Sequence, residues 1–208
     1  MDIFIFLGYE AAASALPLAA MPLLRRASKK KTAEGSKHTS FLAAAVFTLY
    51  IIGVMHFTGL VTIYELLNEA DPLNRWNYNL TPFSNDIDIN AYILNVFMLV
   101  PLGFLLPCFC EKARSFGRTV LSGAGFSLFI ELTQLLNERR TDIDDLIMNT
   151  LGAAVGYLLF LLLDDFSGKK LRRNVLPYST FVIIVLASFA GRFLLYNEMG
   201  LAGALYGF

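Results

Sequence analysis

Charge is scarce in this chain. Only 16% of its 208 residues are Asp, Glu, Lys or Arg, where a soluble domain carries about a quarter. That shortage, with 56% apolar residues and a mean hydropathy of +0.55, excludes an ordinary water-soluble domain. Histidine is rarer still, with two residues, and there is neither an H-E-x-x-H motif nor a phosphatase-like run of Lys, Arg and His. The two cysteines, Cys108 and Cys110, stand as Cys-x-Cys, a poor disulfide and at most half a metal site, so they read as reduced thiols at a helix end. A basic N-terminal region is also missing. Asp2 and Glu10 are the early charges and the basic run follows the apolar stretch, so the first window reads as a retained helix and not as a signal peptide. No nucleic-acid partner is expected of such a chain.

What the chain has instead is long apolar runs. Spanning a bilayer takes about 20 mostly apolar residues, and six windows qualify: 3–24, 41–64, 91–110, 119–137, 146–163 and 176–196. The expected fold is all-α: a polytopic membrane protein, a bundle of about six transmembrane helices forming one transmembrane domain over 1–208. The net charge of zero conceals an asymmetry. Of 17 Lys and Arg, 13 fall in the first, third and fifth connectors, with only Arg75, Arg139, Arg140 and Arg192 elsewhere. The positive-inside rule then makes those three connectors cytoplasmic and both termini extracellular, in a multi-pass plasma-membrane protein. The basic segment 25–37 reads first as a topology signal that also touches anionic headgroups.

Seven residues between the fourth and fifth windows hold more charge than a connector needs: Arg139-Arg140-Thr141-Asp142-Ile143-Asp144-Asp145. Polar residues inside the neighbouring spans point toward them. Glu131 and Gln134 share a helix face, and Glu131 lies ~18 Å from the cytoplasmic end of its span at 1.5 Å per residue. Asp145, Asn149, Gly152 and Gly156 make one stripe of a 3.6-residue helix. The glycine pair allows close approach of a neighbour, and Gly123 and Ser127 on the fourth span are the expected partners. Asn95 in the third span sits at the depth of Asn149, and Pro101 removes a helix hydrogen bond below it. Intramembrane polar groups are costly and usually functional. The reading is a site; the alternative is a hydrogen-bond network that only holds helices together.

These residues carry a family resemblance. Asn79-Leu80-Thr81-Pro82-Phe83 resembles the N-L-x-P-F element of VanZ-like proteins. Asn95 to Phe104 resembles their N-x5-P-x-G-F helix, and Glu131-Leu-Thr-Gln134 their E-x-x-Q. The run Arg139-x-x-Asp142-x-Asp144-Asp145-x3-Asn149-x2-Gly152-x3-Gly156 resembles their longest signature, with Arg140 an extra. The likeness covers roughly 45–163. It implies an integral membrane protein of Gram-positive type, linked with resistance to lipid-tailed glycopeptides such as teicoplanin, and it brings no settled enzymatic activity.

The chemistry must come from the residues. The candidate binding set is Asn95, Glu131, Gln134, Arg139, Asp142, Asp144, Asp145 and Asn149. An Arg fork can grip phosphate, and Asp142, Asp144 and Asp145 are candidates to hold a divalent cation such as magnesium. Such a set would suit a lipid headgroup: a lipid-linked cell-wall precursor or a lipoglycopeptide. The second connector adds Arg75, Trp76 and Tyr78, either an interfacial anchor or a lid. An enzyme acting on a lipid-linked substrate is the alternative, with Glu131 and Asp145 as candidate acid–base groups; no nucleophile with a base partner supports it. A transporter would favour paired repeats, and no second copy of the motif is present. His56 reads as a packed interhelical residue, and Arg192 as a side chain that snorkels to the interface.

Overall fold

The structure is a computed structural model, which describes residues 2–19, 37–68, 78–84, 88–136, 140–173 and 175–207. Eight α-helices account for nearly all of its regular structure: α1 (Asp2–Ser14), α2 (Lys37–Thr58), α3 (Ile63–Asn68), α4 (Ile89–Phe109), α5 (Phe116–Gln134), α6 (Ile143–Phe166), α7 (Tyr178–Leu195) and α8 (Glu198–Tyr206). Two-residue strands, β1 (Tyr78–Asn79) and β2 (Thr141–Asp142), pair in parallel. Among the described residues, four helical segments are long and apolar enough to cross a membrane: His38–Asn68, which takes in α2 and α3, and then α4, α6 and α7. The all-α membrane fold follows. Large apolar side chains on the outside, among them Leu94, Phe97, Leu121 and Leu158, have no protein to cover them and suit a hydrocarbon solvent.

Element ends follow local chemistry. The Asp88 carboxylate caps α4 by accepting from the backbone N–H groups of Asn90 and Ala91. Asp142 caps α6 through the N–H of Asp144. The second apolar window was expected to run to 64, but α2 stops at Thr58, because Gly59 takes a left-handed φ of 58°. Pro101 and Pro107 both lie inside α4 without ending it.

Close packing centres on α4, α5 and α6. α4 and α6 run parallel, and a methyl group built on Gly152 or Gly156 would strike the carbonyls of Val96 or Val100. The glycine pair therefore faces α4. This corrects the expectation that it would meet α5: a small-residue stripe announces close approach but not the partner. α5 runs antiparallel to α6 and gains its own close contact through Gly123, which abuts the Ala153 methyl. Phe47, Ile51 and Met55 of α2, Leu99, Leu102 and Leu106 of α4, Ile130 of α5 and Ile184 of α7 fill the main core.

The two flanking helices are joined by buried charge. Glu10 of α1 accepts from Arg192 Nε of α7 at 2.8 Å, with the two side chains 4% and 7% exposed. The other Glu10 oxygen lies 2.7 Å from Nδ1 of His56 on α2. Arg192 also stacks over the Tyr196 ring at 5.3 Å. Arg192 thus does not snorkel. An ion pair sealed between helices costs less than a lone charge led to the interface when the partner carboxylate is already buried. His56 is interhelical as expected, through its hydrogen-bond contact with Glu10 and at the half-exposed end of α2.

Candidate functional site

One end of the bundle gathers the polar residues. The route begins where α5 ends. Glu131, 4% exposed, holds the following loop twice: its carbonyl accepts from the Thr141 hydroxyl at 3.0 Å and its Oε2 from the Asp142 N–H at 3.1 Å. That clamp sets β2 against the top of α5. β2 in turn receives β1 in register, Tyr78 opposite Thr141 and Asn79 opposite Asp142. The second connector therefore folds back over the first turn of α6.

Each aspartate then finds a different donor. Asp142 Oδ1 accepts from the Asn79 side-chain amide at 3.1 Å as well as capping α6. Its Oδ2 lies 3.5 Å from Arg140 Nε, a pair at the rim in which only the arginine is half-exposed. Asp144, 4% exposed, accepts from the Phe83 N–H at 2.9 Å and from the Tyr92 hydroxyl at 2.6 Å. Phe83 reaches it with a φ of 54° and sets its ring edge-on to Tyr92. Asp145 accepts from the Asn95 amide. One turn further in, Asn149 donates to Ser127 Oγ at 3.0 Å.

The structure thus brings Asn95, Glu131, Asp142, Asp144, Asp145 and Asn149 to one end of α4, α5 and α6. Gln134 is at the same level, but its amide turns to α2 and donates to the Thr58 carbonyl at 3.2 Å. Arg139 lies outside the described residues, as do Arg75 and Trp76. Asp142, Asp144 and Asp145, the candidates to hold a divalent cation, each accept from different donors. Among the described residues no three metal-ligating side chains gather. The reason is helical: Asp144 and Asp145 are successive residues pointing about 100° apart, and Asp142 turns back to cap its own helix.

Sequence reading missed Tyr92 and Ser127 as partners in this network. The signal for Tyr92 was present, since it stands three residues before Asn95 on the same face of α4. Ser127 was assigned to close packing; its hydroxyl instead holds the Asn149 amide.

Two apolar grooves flank the N-terminal part of α6 on the outside of the bundle. One, of about 500 Å³, runs between α5 and α6 along Leu121, Gly125, Leu128, Leu146 and Ile147. The second, about 230 Å³, lies between α4 and α6 and includes Tyr92, Val96, Phe97 and Met148. Leu128 and Leu146 bring the first groove beside the turns that carry Glu131 and Asp145.

A family model described as VanZ/LLP1 matches residues 47–164, more than half of the chain. The match takes in β1, α4, α5, β2 and nearly all of α6, and so every residue of the polar end. No curated protein and no solved structure matches the chain.

Proposed function

We propose that this chain, which belongs to the VanZ/LLP1 family, is a multi-pass plasma-membrane protein whose polar end opens to the outer leaflet. There it holds a lipid headgroup, from a cell-wall lipid precursor or a lipoglycopeptide, and so contributes to resistance of the teicoplanin type. The observation that carries the reading is the meeting of four separate segments at one end. Asn79, Phe83, Tyr92, Asn95, Glu131 and the 142–149 turn are tied there through side-chain oxygens. A connector that only joined α5 to α6 would not require an acid at three of four successive positions. The apolar grooves beside this end support a ligand with a tail, and the positive-inside asymmetry supports the outward orientation.

The test is a comparison of two drugs. Expressed in a susceptible Gram-positive host, the protein reduces killing by teicoplanin more than by vancomycin. A lipid-tailed drug enters the leaflet where this end opens, while vancomycin has no such tail. Glu131→Gln, Arg139→Ala and Asp145→Asn each abolish the difference without lowering the amount of protein in the membrane. Equal protection against both drugs, or protection that survives all three changes, makes the polar end a structural network instead.

A second reading, an enzyme on a lipid-linked substrate, draws on Glu131 and Asp145, two carboxylates brought to the same end of α5 and α6. Turnover of a lipid-linked carrier by purified protein decides it.

A further inference from the structure

The bundle's other end is basic. There the turn after α4 and the loop after α6 are laid side by side. The N–H of Arg173 donates to the Cys108 carbonyl at 2.8 Å, and those of Val175 and Leu176 to the Phe109 carbonyl at 3.0 and 3.1 Å. These carbonyls belong to the last turn of α4, where a helix has no partners of its own for them. The turn that follows is fixed as well. Arg114 Nε donates back to the Pro107 carbonyl at 3.2 Å, Arg118 Nη1 to the Lys112 carbonyl at 3.2 Å, and the Tyr157 hydroxyl of α6 to the Arg114 carbonyl at 3.0 Å. Two connectors far apart in sequence thus present their cations together. Segments 111–118 and 164–173 hold seven Lys and Arg against three acids. Of those acids, Asp164 is buried and spent on Arg172 at 2.6 Å. Lys112, Lys169, Lys170 and Arg173 are exposed, and their side chains have no partner among the described residues. Residues 20–36, outside the described residues, carry five further cations and one acid, so they do not reverse the sign. The two buried unpartnered atoms at this end, Arg114 Nη2 and Asp164 Oδ1, are one donor and one acceptor and select neither sign of ligand.

We infer that this end binds the phosphate of an anionic phospholipid in the adjoining leaflet, seated between the turn after α4 and the loop after α6. Topology asks only that cations stay on one side of the membrane. It does not ask that two connectors be bonded to each other with their cations left without counter-ions. Like charges held together repel, and an anion between them removes that cost. Lys and Arg heads at the end of a membrane-embedded bundle reach headgroup level. Phe116 and Phe166 of the same segments are exposed and offer apolar surface to the first carbons of an acyl chain. Free cations beside exposed rings suit a lipid better than a soluble anion. Neither the headgroup reading of the polar end nor the orientation of the chain enters into it.

The full-length protein is placed in nanodiscs of phosphatidylcholine with a minor share of phosphatidylglycerol and released for native mass spectrometry, which counts each lipid retained. Phosphatidylglycerol is retained in preference to phosphatidylcholine; both carry phosphate, and only the first is a net anion. Lys169→Gln and Arg173→Gln each lower that preference about fivefold, the worth of one basic side chain at an anionic surface. Asp165→Asn removes an exposed acid from the same loop and raises the preference, a gain that a misfolded protein cannot imitate. Excess inorganic phosphate, at ionic strength matched with sodium chloride, leaves the retained phosphatidylglycerol in place. No preference between the lipids, a preference that any of the three variants leaves unchanged, or displacement by inorganic phosphate overturns the inference.

Discussion

Arg192→Met should be the most damaging single substitution outside the family region, and the structure gives its size. Arg192 Nε lies 2.8 Å from Glu10 Oε1, and neither side chain is more than 7% exposed. Methionine keeps most of the volume, so packing over the Tyr196 ring changes little. What is lost is the counter-charge. The Glu10 carboxylate stays buried between α1 and α7 with His56 as its remaining partner. Breaking a buried pair from one side costs about 3–5 kcal/mol. Replacing both partners by apolar residues is a different experiment, because no charge is left behind; such replacements are often neutral or stabilising by about 1–4 kcal/mol. The expectation is therefore non-additive. Arg192→Met and Glu10→Leu are each strongly destabilised, and the double variant recovers most of the loss. The assay is reversible unfolding in mixed micelles with rising sodium dodecyl sulfate at pH 7, followed by circular dichroism. A single variant within about 0.5 kcal/mol of the parent, the range of ordinary surface changes, would refute the argument. So would simple addition of the two losses.

Asp144→Ala removes the acceptor of the Phe83 N–H and should raise hydrogen exchange at that amide by about tenfold or more, the worth of a hydrogen bond to a charged group; unchanged exchange would show that the cap is held by other contacts. Gly152→Leu places a side chain on the Val96 carbonyl and should prevent α4 and α6 from packing, seen as loss of monodisperse protein on extraction, whereas Gly125→Leu meets nothing within 4 Å and should be tolerated. Cys110 is fully buried, and burial pushes its thiol up to about 12; the thiolate is the nucleophile, so maleimide at pH 8 should label neither native cysteine until the protein is denatured. Lys169→Cys should accordingly report topology without removing the native thiols: an impermeant maleimide should reach it only in opened cells, and labelling in intact cells would invert the orientation.

Much of the polar end was legible because a helix writes its face into sequence spacing. Asp145 and Asn149 fell on one stripe, and the structure ties both inward, to Asn95 and Ser127. The partner of that stripe was not legible. Spacing says that Gly152 and Gly156 leave room, and either neighbour could have filled it; α4 does. The return of residues 79–83 over the aspartates escaped too, because an irregular connector has no period and β1 pairs with β2 across 63 positions. The Glu10–Arg192 pair spans 182 positions. Its only trace in the sequence was one lone acid and one lone base, each inside its own apolar window.

The pairing of β1 with β2 also dictates an order of assembly. Asn79 leaves the ribosome 63 residues ahead of Asp142, and α4 and α5 are both made in the interval. Neighbouring helices can associate as they arrive, because their contacts are local and close short loops. The cap is a distant closure and carries the larger entropy of a long loop. It must therefore form late in biogenesis, after the first turn of α6 has emerged. A nascent chain halted anywhere before position 142 would display the N-L-T-P-F segment with nothing to fold onto, a transient handle by which insertion chaperones or membrane proteases could tell an unfinished copy from a finished one.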